Sequence, residues 1–248
     1  MSMLKLENVK YRNILKGISF DIEEKSFNIL VGPNGSGKTT LVKILAELIE
    51  FEGKITFDGQ REDVGFFTEN NLFSYKKVID NLTFILINLG FNKKKSEEKA
   101  IKLLKYFDLE YLINREIIEL SYEEKRLVEF LSSIIHNPKL IIIDDSFDYL
   151  SDIERNKIIT KLKKLDVSIL FITNNIKDIF YADQIIIIKD GKTTFNGNLE
   201  NLIKKEKNFI DNGLYPPFML DLSYKLLDYK LLDKVILNEK EMVNAIWK

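Results

Sequence analysis

The chain has 248 residues with 37 basic and 38 acidic side chains, giving a net charge of −1 and a pI near 6.1. Hydrophobic residues make up 45% and charged ones 30%, which excludes a disordered chain, and a domain of this length buries about three quarters of its unfolded surface. Cysteine is absent and His136 is the only histidine, which excludes a disulfide scaffold, a thiol nucleophile and zinc sites of several cysteines or histidines, and argues against a Ser-His-Asp triad. The balanced charge supplies no overall field for nucleic acid, so no nucleic-acid partner is expected. No stretch reaches the roughly 18 apolar residues of a membrane span, and the first twenty residues lack a signal-peptide core. A cytoplasmic protein, able to dock on a membrane partner, is the expectation.

In chain order, short β-like runs come first at Leu4–Val9, Ile18–Ile22 and Phe27–Val31. The third enters a glycine-rich turn, Gly32-Pro33-Asn34-Gly35-Ser36-Gly37. A helical pattern follows, with Leu41, Ile44, Leu45 and Leu48 on one face. Strands are expected at Lys54–Phe57 and Val64–Phe67. The stretch from about Val78 to Leu112 reads as helical, with a lysine-rich break at Lys93-Lys94-Lys95. Ser121–His136 reads as a strong helix, opened by the Ser121/Glu124 capping box. Leu140–Ile143 is an apolar strand ending in Asp144-Asp145, Ile153–Leu165 a helix, and Val167–Ile172 and Ile185–Ile188 are buried strands. Buried β-branched strands alternating with helices predict a parallel sheet covered on both faces. Beyond about Gly197 the alternation stops, and a lysine-rich stretch leads into a helical appendage ending at Lys248.

Residues Gly32 to Thr39 fit G-x4-G-K-[ST] at every fixed position. Glycines let the backbone curl with its amides pointing inward at phosphate oxygens. The following helix adds a positive N-terminus, Lys38 a full charge, and Thr39 a hydroxyl for Mg2+. About 105 residues downstream, Asp144 ends a buried strand, the place from which a carboxylate holds the magnesium water shell beside such a loop.

With both motifs present, and His136-Asn137-Pro138-Lys139 ahead of the second, residues 1 to about 200 resemble the nucleotide-binding subunit of ABC transporters. The resemblance implies an α/β P-loop core with a mainly parallel sheet, an antiparallel β subdomain and a helical subdomain at about 78–136, followed by a C-terminal helical extension at 201–248. It implies ATP and Mg2+ as cofactors. Nucleotide contacts would come from Asn34, Gly35, Ser36, Gly37, Lys38, Thr39 and Thr40. Tyr11 either stacks on adenine or packs on the sheet. Metal contacts would come from Thr39, Asp144 and Glu69. Asp145 stands at the position of the catalytic base and Asn174 at that of the switch histidine.

The accessory motifs depart from the family. Its Leu-Ser-Gly-Gly-Gln signature, which reaches the γ-phosphate of a partner's nucleotide, reads Leu120-Ser121-Tyr122-Glu123-Glu124 here. Side chains on Tyr122 and Glu123 obstruct close backbone approach. The carboxylates of Glu123 and Glu124 also repel a triphosphate, by roughly 3 kcal/mol for unit charges about 5 Å apart at an effective dielectric of about 20. Asp145 is one methylene shorter than the usual glutamate, Asn174 takes no proton, Glu69 replaces the glutamine that links magnesium to the membrane partner, and Ser151 replaces the D-loop aspartate. Together these predict a subunit that binds ATP and hydrolyses it slowly or not at all at its own site.

The stretch from Gly213-Leu-Tyr-Pro-Pro-Phe218 to Trp247-Lys248 resembles the tail of ATPases in energy-coupling-factor transporters for vitamin or metal uptake. There the tail packs two ATPases beneath a membrane coupling protein. This resemblance implies a second, non-identical ATPase subunit, a membrane coupling protein and a substrate-binding membrane component, with this chain peripheral on the inner face of the cell membrane. Glu69–Leu82, including Leu72, Phe73 and Tyr75, would receive a coupling helix. An export ATPase and a non-hydrolytic ATP-dependent regulatory module are the competing readings.

Overall fold

A computed structural model of the protein describes residues 2–68, 73, 75–144 and 147–247. Its strands are β1 (Ser2–Tyr11), β2 (Leu15–Glu23), β3 (Phe27–Val31), β4 (Glu52–Phe57), β5 (Val64–Phe67), β6 (Leu140–Asp144), β7 (Ser168–Ile172), β8 (Gln184–Lys189) and β9 (Lys192–Gly197). Its helices are α1 (Lys38–Leu45), α2 (Val78–Asn88), α3 (Lys93–Tyr106), α4 (Tyr122–Ile134), α5 (Asp152–Leu162), α6 (Leu199–Ile203), α7 (Lys207–Ile210), α8 (Phe218–Asp228) and α9 (Glu239–Ile246). The residues divide into two units, each discontinuous in sequence. One comprises Met1–Lys5, Asp21–Phe27 and Thr56–Ile172; the other comprises Leu6–Phe20, Asn28–Ile55 and Thr173–Lys248.

In the first unit β5, β6 and β7 lie side by side and parallel, with Phe67 opposite Ile143 and Asp144 opposite Ile172. All five residues of β7 and the first four of β6 are buried, as expected for strands covered on both faces. The core between sheet and α4 is aromatic. Phe147 is fully buried, with ring centroids 5.3 Å from Phe130, 5.6 Å from Phe67 and 6.0 Å from Phe171. Its backbone has φ of 52°, a left-handed conformation that a phenylalanine holds only where packing imposes it.

In the second unit the strand order is β4-β1-β2-β9-β8-β3. β3 pairs parallel with β8, and β8 antiparallel with β9, so the sheet is mixed. β9 went unrecognised in the sequence because its alternating exposed and half-buried residues, Lys-Thr-Thr-Phe-Asn-Gly, carry no apolar run. At the C-terminal end α8 and α9 enclose a small core of Leu232, Ile236 and Met242, against which Met219, Leu222, Leu226, Leu227 and Ala245 pack. Ser223 Oγ accepts a hydrogen bond from the Ile236 amide at 2.8 Å, and Tyr224 donates its hydroxyl to the Ile203 carbonyl at 2.7 Å. Burial pushes that phenol up to about 12. Among the described residues no helix is long and apolar enough to cross a membrane.

Two expectations are corrected. Leu48 is not on the buried face of α1: the helix stops at Leu45 and Leu48 is 69% exposed. Glu47 adopts φ of 58°, and the amides of Glu47 and Leu48 turn back to the carbonyls of Ile44 and Lys43, a C-terminal closure that glycine usually supplies. Likewise Lys93-Lys94-Lys95 is not a break but the first turn of α3, capped by Asn92, whose side chain accepts from the Lys95 amide at 2.9 Å. The break lies just before, at Gly90 with φ of 87°, where the amides of Gly90 and Phe91 close α2 onto Ile87 and Leu86.

His136 lies just past α4 and is half-buried. Burial lowers its imidazole below the ordinary value of 6.5. A hydrogen bond with the Val64 backbone and the charge of Asp63 oppose this, and Lys99 adds slightly to it. The unfolded chain therefore takes the proton first, so this contribution to stability is complete above pH 6.5 and is lost as pH falls below it. Denaturant midpoints measured across that window are expected to fall less in His136→Gln than in the parent. Phe147→Ala is expected to remove about 3–5 kcal/mol of stability at neutral pH, read from denaturant unfolding.

Candidate functional site

The glycine loop is built by close backbone contacts within the second unit. β3, buried at all five positions, delivers the chain to Gly32. A Cβ on Gly32 would sit 2.1 Å from the Ile188 carbonyl oxygen, so only glycine lets the loop rest against β8. Gly37 has φ of 106°, and a Cβ there would meet Leu15 Cδ2 at 2.4 Å. Gly35, with φ of 78°, faces open space.

Lys38 opens α1 and is only 9% exposed. Its ammonium donates to the carbonyls of Gly32 at 2.7 Å and Pro33 at 3.1 Å, which bends the side chain back over the loop. Gly37 is the N-cap, no side chain among the described residues caps α1, and its first turn carries no acid. The helix thus presents amides and a positive end to whatever lies in the loop. Ser36 is buried, and its hydroxyl finds no hydrogen-bond partner among the described residues. A buried hydroxyl without a partner costs about 1–3 kcal/mol, which an anionic ligand accepting that proton would recover. Asn34 and Thr39 are exposed and Thr40 is half-buried. Bare backbone, orphaned hydroxyl, poised ammonium and open helix start all fit a polyphosphate.

Asp144 belongs to the first unit, half-buried at the end of β6 after four buried aliphatic residues. Asp145 and Glu69 lie outside the described residues, as does Leu72. In the same unit, the segment at the signature position is closed by its own side chains. Ser121 Oγ accepts from the Glu124 amide at 3.2 Å, and the Glu124 carboxylate accepts from the Ser121 amide at 2.9 Å. The Glu123 carboxyl is held below the usual range by its own backbone amide and then by the Ser121 hydroxyl. Tyr122 stands out into solvent, its ring edge-to-face with Tyr149 at 5.8 Å. Ser151 caps α5 through the same reciprocal arrangement with Glu154.

In the second unit Asn174 is exposed. It sits on a turn built by its neighbours: Thr173 Oγ1 donates to the buried Asp178 carboxylate at 2.6 Å and accepts from the Asn175 amide at 2.9 Å. Tyr11, half-buried at the end of β1, has the Arg12 guanidinium 5.1 Å from its ring centroid.

Two residues near these motifs were missed by sequence reasoning. Leu15 forms the floor against Gly37. Arg126 is buried in α4, 2.5 Å from Glu129, within 3.5 Å of the Thr68 carbonyl and 4.6 Å from the Phe67 centroid. The spacing of Arg126 and Glu129, one helical turn apart within an apolar stripe, was the available signal.

The ABC transporter family pattern matches residues 15–148. The protein named as the hemin import ATP-binding protein HrtA, from Staphylococcus aureus strain MRSA252, is 34% identical over 207 residues, covering 76% of this chain and 94% of that protein. Among solved structures, cbiO1 from Clostridium perfringens, described as part of the transporter complex cbiONQ, superposes with a TM-score of 0.76 over 89% of this chain and 98% of its own, at 23% identity. The ATP-binding cassette MJ0796, solved as a post-hydrolysis dimer with ADP and Pi, superposes with a TM-score of 0.70 over 79% and 99%, at 25% identity. The protein accordingly belongs to the ABC transporter family, as an ATP-binding, ATPase-type subunit on the α/β P-loop fold.

Proposed function

We propose that this chain is the ATP-binding subunit of an energy-coupling-factor uptake transporter for a vitamin or metal ion. It works beside a second, non-identical ATPase, a membrane coupling protein and a substrate-binding membrane component, on the inner face of the cell membrane. Residues 1–200 form the nucleotide-binding domain, with its helical subdomain at about 78–136, and 201–248 form a dimerisation-type extension. The observation that carries this reading is the α8–α9 pair. It closes over its own small core yet leaves Tyr215, Phe218, Tyr229, Leu231 and Trp247 in solvent, as a segment made to meet other subunits would. The relative named for import, and a likeness to cbiO1 that reaches further along the chain than that to MJ0796, support the same choice over an exporter.

ATP lies with its phosphates against Asn34, Gly35, Ser36, Gly37, Lys38, Thr39 and Thr40, and Tyr11 is offered to the base. The Lys38 ammonium exchanges carbonyl partners for phosphate oxygens, and the Ser36 hydroxyl gains the acceptor it lacks. Magnesium, when bound, neutralises the developing phosphate charge; Thr39, Asp144 and Glu69 are the oxygen donors this chain offers it, consistent with a cation that keeps most of its water. Asp145 reaches less far toward an attacking water than glutamate, and Asn174 cannot hold the proton that a switch histidine would take, so turnover at this site is slow.

The first turn of α4 supports the same asymmetry. Its amides, which would meet the γ-phosphate of the nucleotide in the facing subunit, are served by Ser121, Glu123 and Glu124 of this chain. Tyr122 and Glu123 also fill the space that glycines leave open. This feature favours one further reading, a module that closes on ATP and regulates a partner without turnover.

Lys38→Ala is expected to weaken MgATP binding at least about tenfold by calorimetry, through loss of charge-assisted hydrogen bonds. Ser36→Ala should leave the nucleotide-free protein as stable or more so, while shrinking the rise in Tm that ATP produces. An unchanged ATP response in both variants would remove the loop from the reading. Asp145→Glu combined with Asn174→His should raise phosphate release only when a partner with an intact signature is added. Equal release with and without that partner would remove the heterodimer. Co-purification with a multi-span coupling protein separates uptake from export, and absence of turnover even in the assembled complex would favour the regulatory reading.

A further inference from the structure

The hairpin between α2 and α3 carries a feature that neither nucleotide binding nor the core explains. Its tip exposes three apolar side chains, Ile87 at 43%, Leu89 at 46% and Phe91 at 36%, around Gly90. A Cβ on Gly90 would meet nothing within 4 Å, so the tip is bare. Directly beside it Lys93, Lys94 and Lys95 are all exposed in the first turn of α3. Lys99, one turn further on, holds its ammonium 4.3 Å from the Phe91 ring centroid.

These lysines are placed against the helix dipole. Three cations in a first turn sit at the positive end of the helix dipole, where acids are favoured, and that turn contains none. Among the described residues only Lys93 of the three has a carboxylate within 4.0 Å, Glu97 at 3.9 Å, and both are well exposed. From 93 to 105 the sequence places six lysines against two glutamates in a chain whose total charge is −1. A lysine-rich composition explains the choice of lysine over arginine, but not a dipole-opposed cluster adjoining three exposed apolar residues.

We propose that this tip docks on an anionic lipid bilayer surface. Ile87, Leu89 and Phe91 enter the boundary between headgroups and acyl chains. The lysine stems lie along the same boundary, with their ammoniums at the level of the lipid phosphates. Charge complementarity selects the anionic surface, and the apolar trio selects a bilayer over a nucleic acid: Phe91 is the only ring at the tip, and Lys99 already covers one of its faces. The whole surface lies within the first unit, so it is independent of the transporter type proposed above.

The test is co-sedimentation of the full chain with vesicles of phosphatidylcholine alone, and of phosphatidylcholine mixed with phosphatidylglycerol, over a range of salt. Binding is expected to the mixed vesicles, weakening as salt rises. It should fall about tenfold or more in Lys93→Glu/Lys94→Glu/Lys95→Glu, and also in Leu89→Ser/Phe91→Ser. The lysine-to-glutamate changes place acids where the start of a helix prefers them, so lost binding cannot be assigned to lost fold. Unchanged circular dichroism and ATP binding should accompany the loss. Equal partition to neutral and anionic vesicles, full binding by the triple-glutamate variant, or no binding to either vesicle would overturn the proposal. Retention on duplex DNA or an acidic protein, with no vesicle binding, would do the same.

Discussion

The phosphate loop depends on backbone that carries no side chains. Gly32 lies so near the Ile188 carbonyl that any Cβ would push the loop off β8, and Gly37 holds a φ of 106° that side-chain-bearing residues rarely adopt. That contact sets the direction in which α1 leaves, and therefore where its amides point. It also leaves the Gly32 and Pro33 carbonyls turned inward, where they hold the Lys38 ammonium in place. A cation this buried needs such partners to remain charged. The loop is thus shaped for an anion in advance, with charge, amides and one unsatisfied hydroxyl converging on the same small space.

Two helix starts in this chain show opposite treatments of one physical resource. The N-terminus of α1 has no capping side chain among the described residues and no acid in its first turn, so its positive end is left to a ligand. The N-terminus of α4 has a reciprocal cap and two glutamates, so its positive end is neutralised from within. The same dipole that attracts a phosphate at one site is spent on the fold at the other. Losing the glycines of the signature therefore does more than add bulk; it converts an anion-binding turn into a self-sufficient helix cap.

The first unit is organised by rings. Phe147 sits between β6 and α5 in the chain and packs against rings from β5, α4 and β7, so the chain is anchored at Phe147 by its packing. Arg126 joins this cluster from α4, lying over the Phe67 ring and reaching the Thr68 carbonyl where β5 ends. A displacement of α4 would be felt at both places, since close-packed rings and a buried ion pair leave little slack.

Sequence by itself determined the loop from Gly32 to Thr39, the buried strands β3, β6, β7 and β8, the cap at Ser121 and the family. Each of these rests on local rules: a fixed spacing of glycines, a run of aliphatic residues, or a pair of side chains one helical turn apart. It did not reveal β9, whose polar residues are held by pairing with β8, nor the end of α1 at Glu47, where a non-glycine residue takes the left-handed conformation. It also misread Lys93–Lys95, because a lysine run looks like a break until Gly90 is seen closing α2 and Asn92 capping α3. Only the tertiary structure decided these points, together with the burial of Arg126, the floor that Leu15 gives Gly37 and the orphaned Ser36 hydroxyl. All of them depend on which atoms meet across long stretches of chain, and spacing along the sequence carries no record of that.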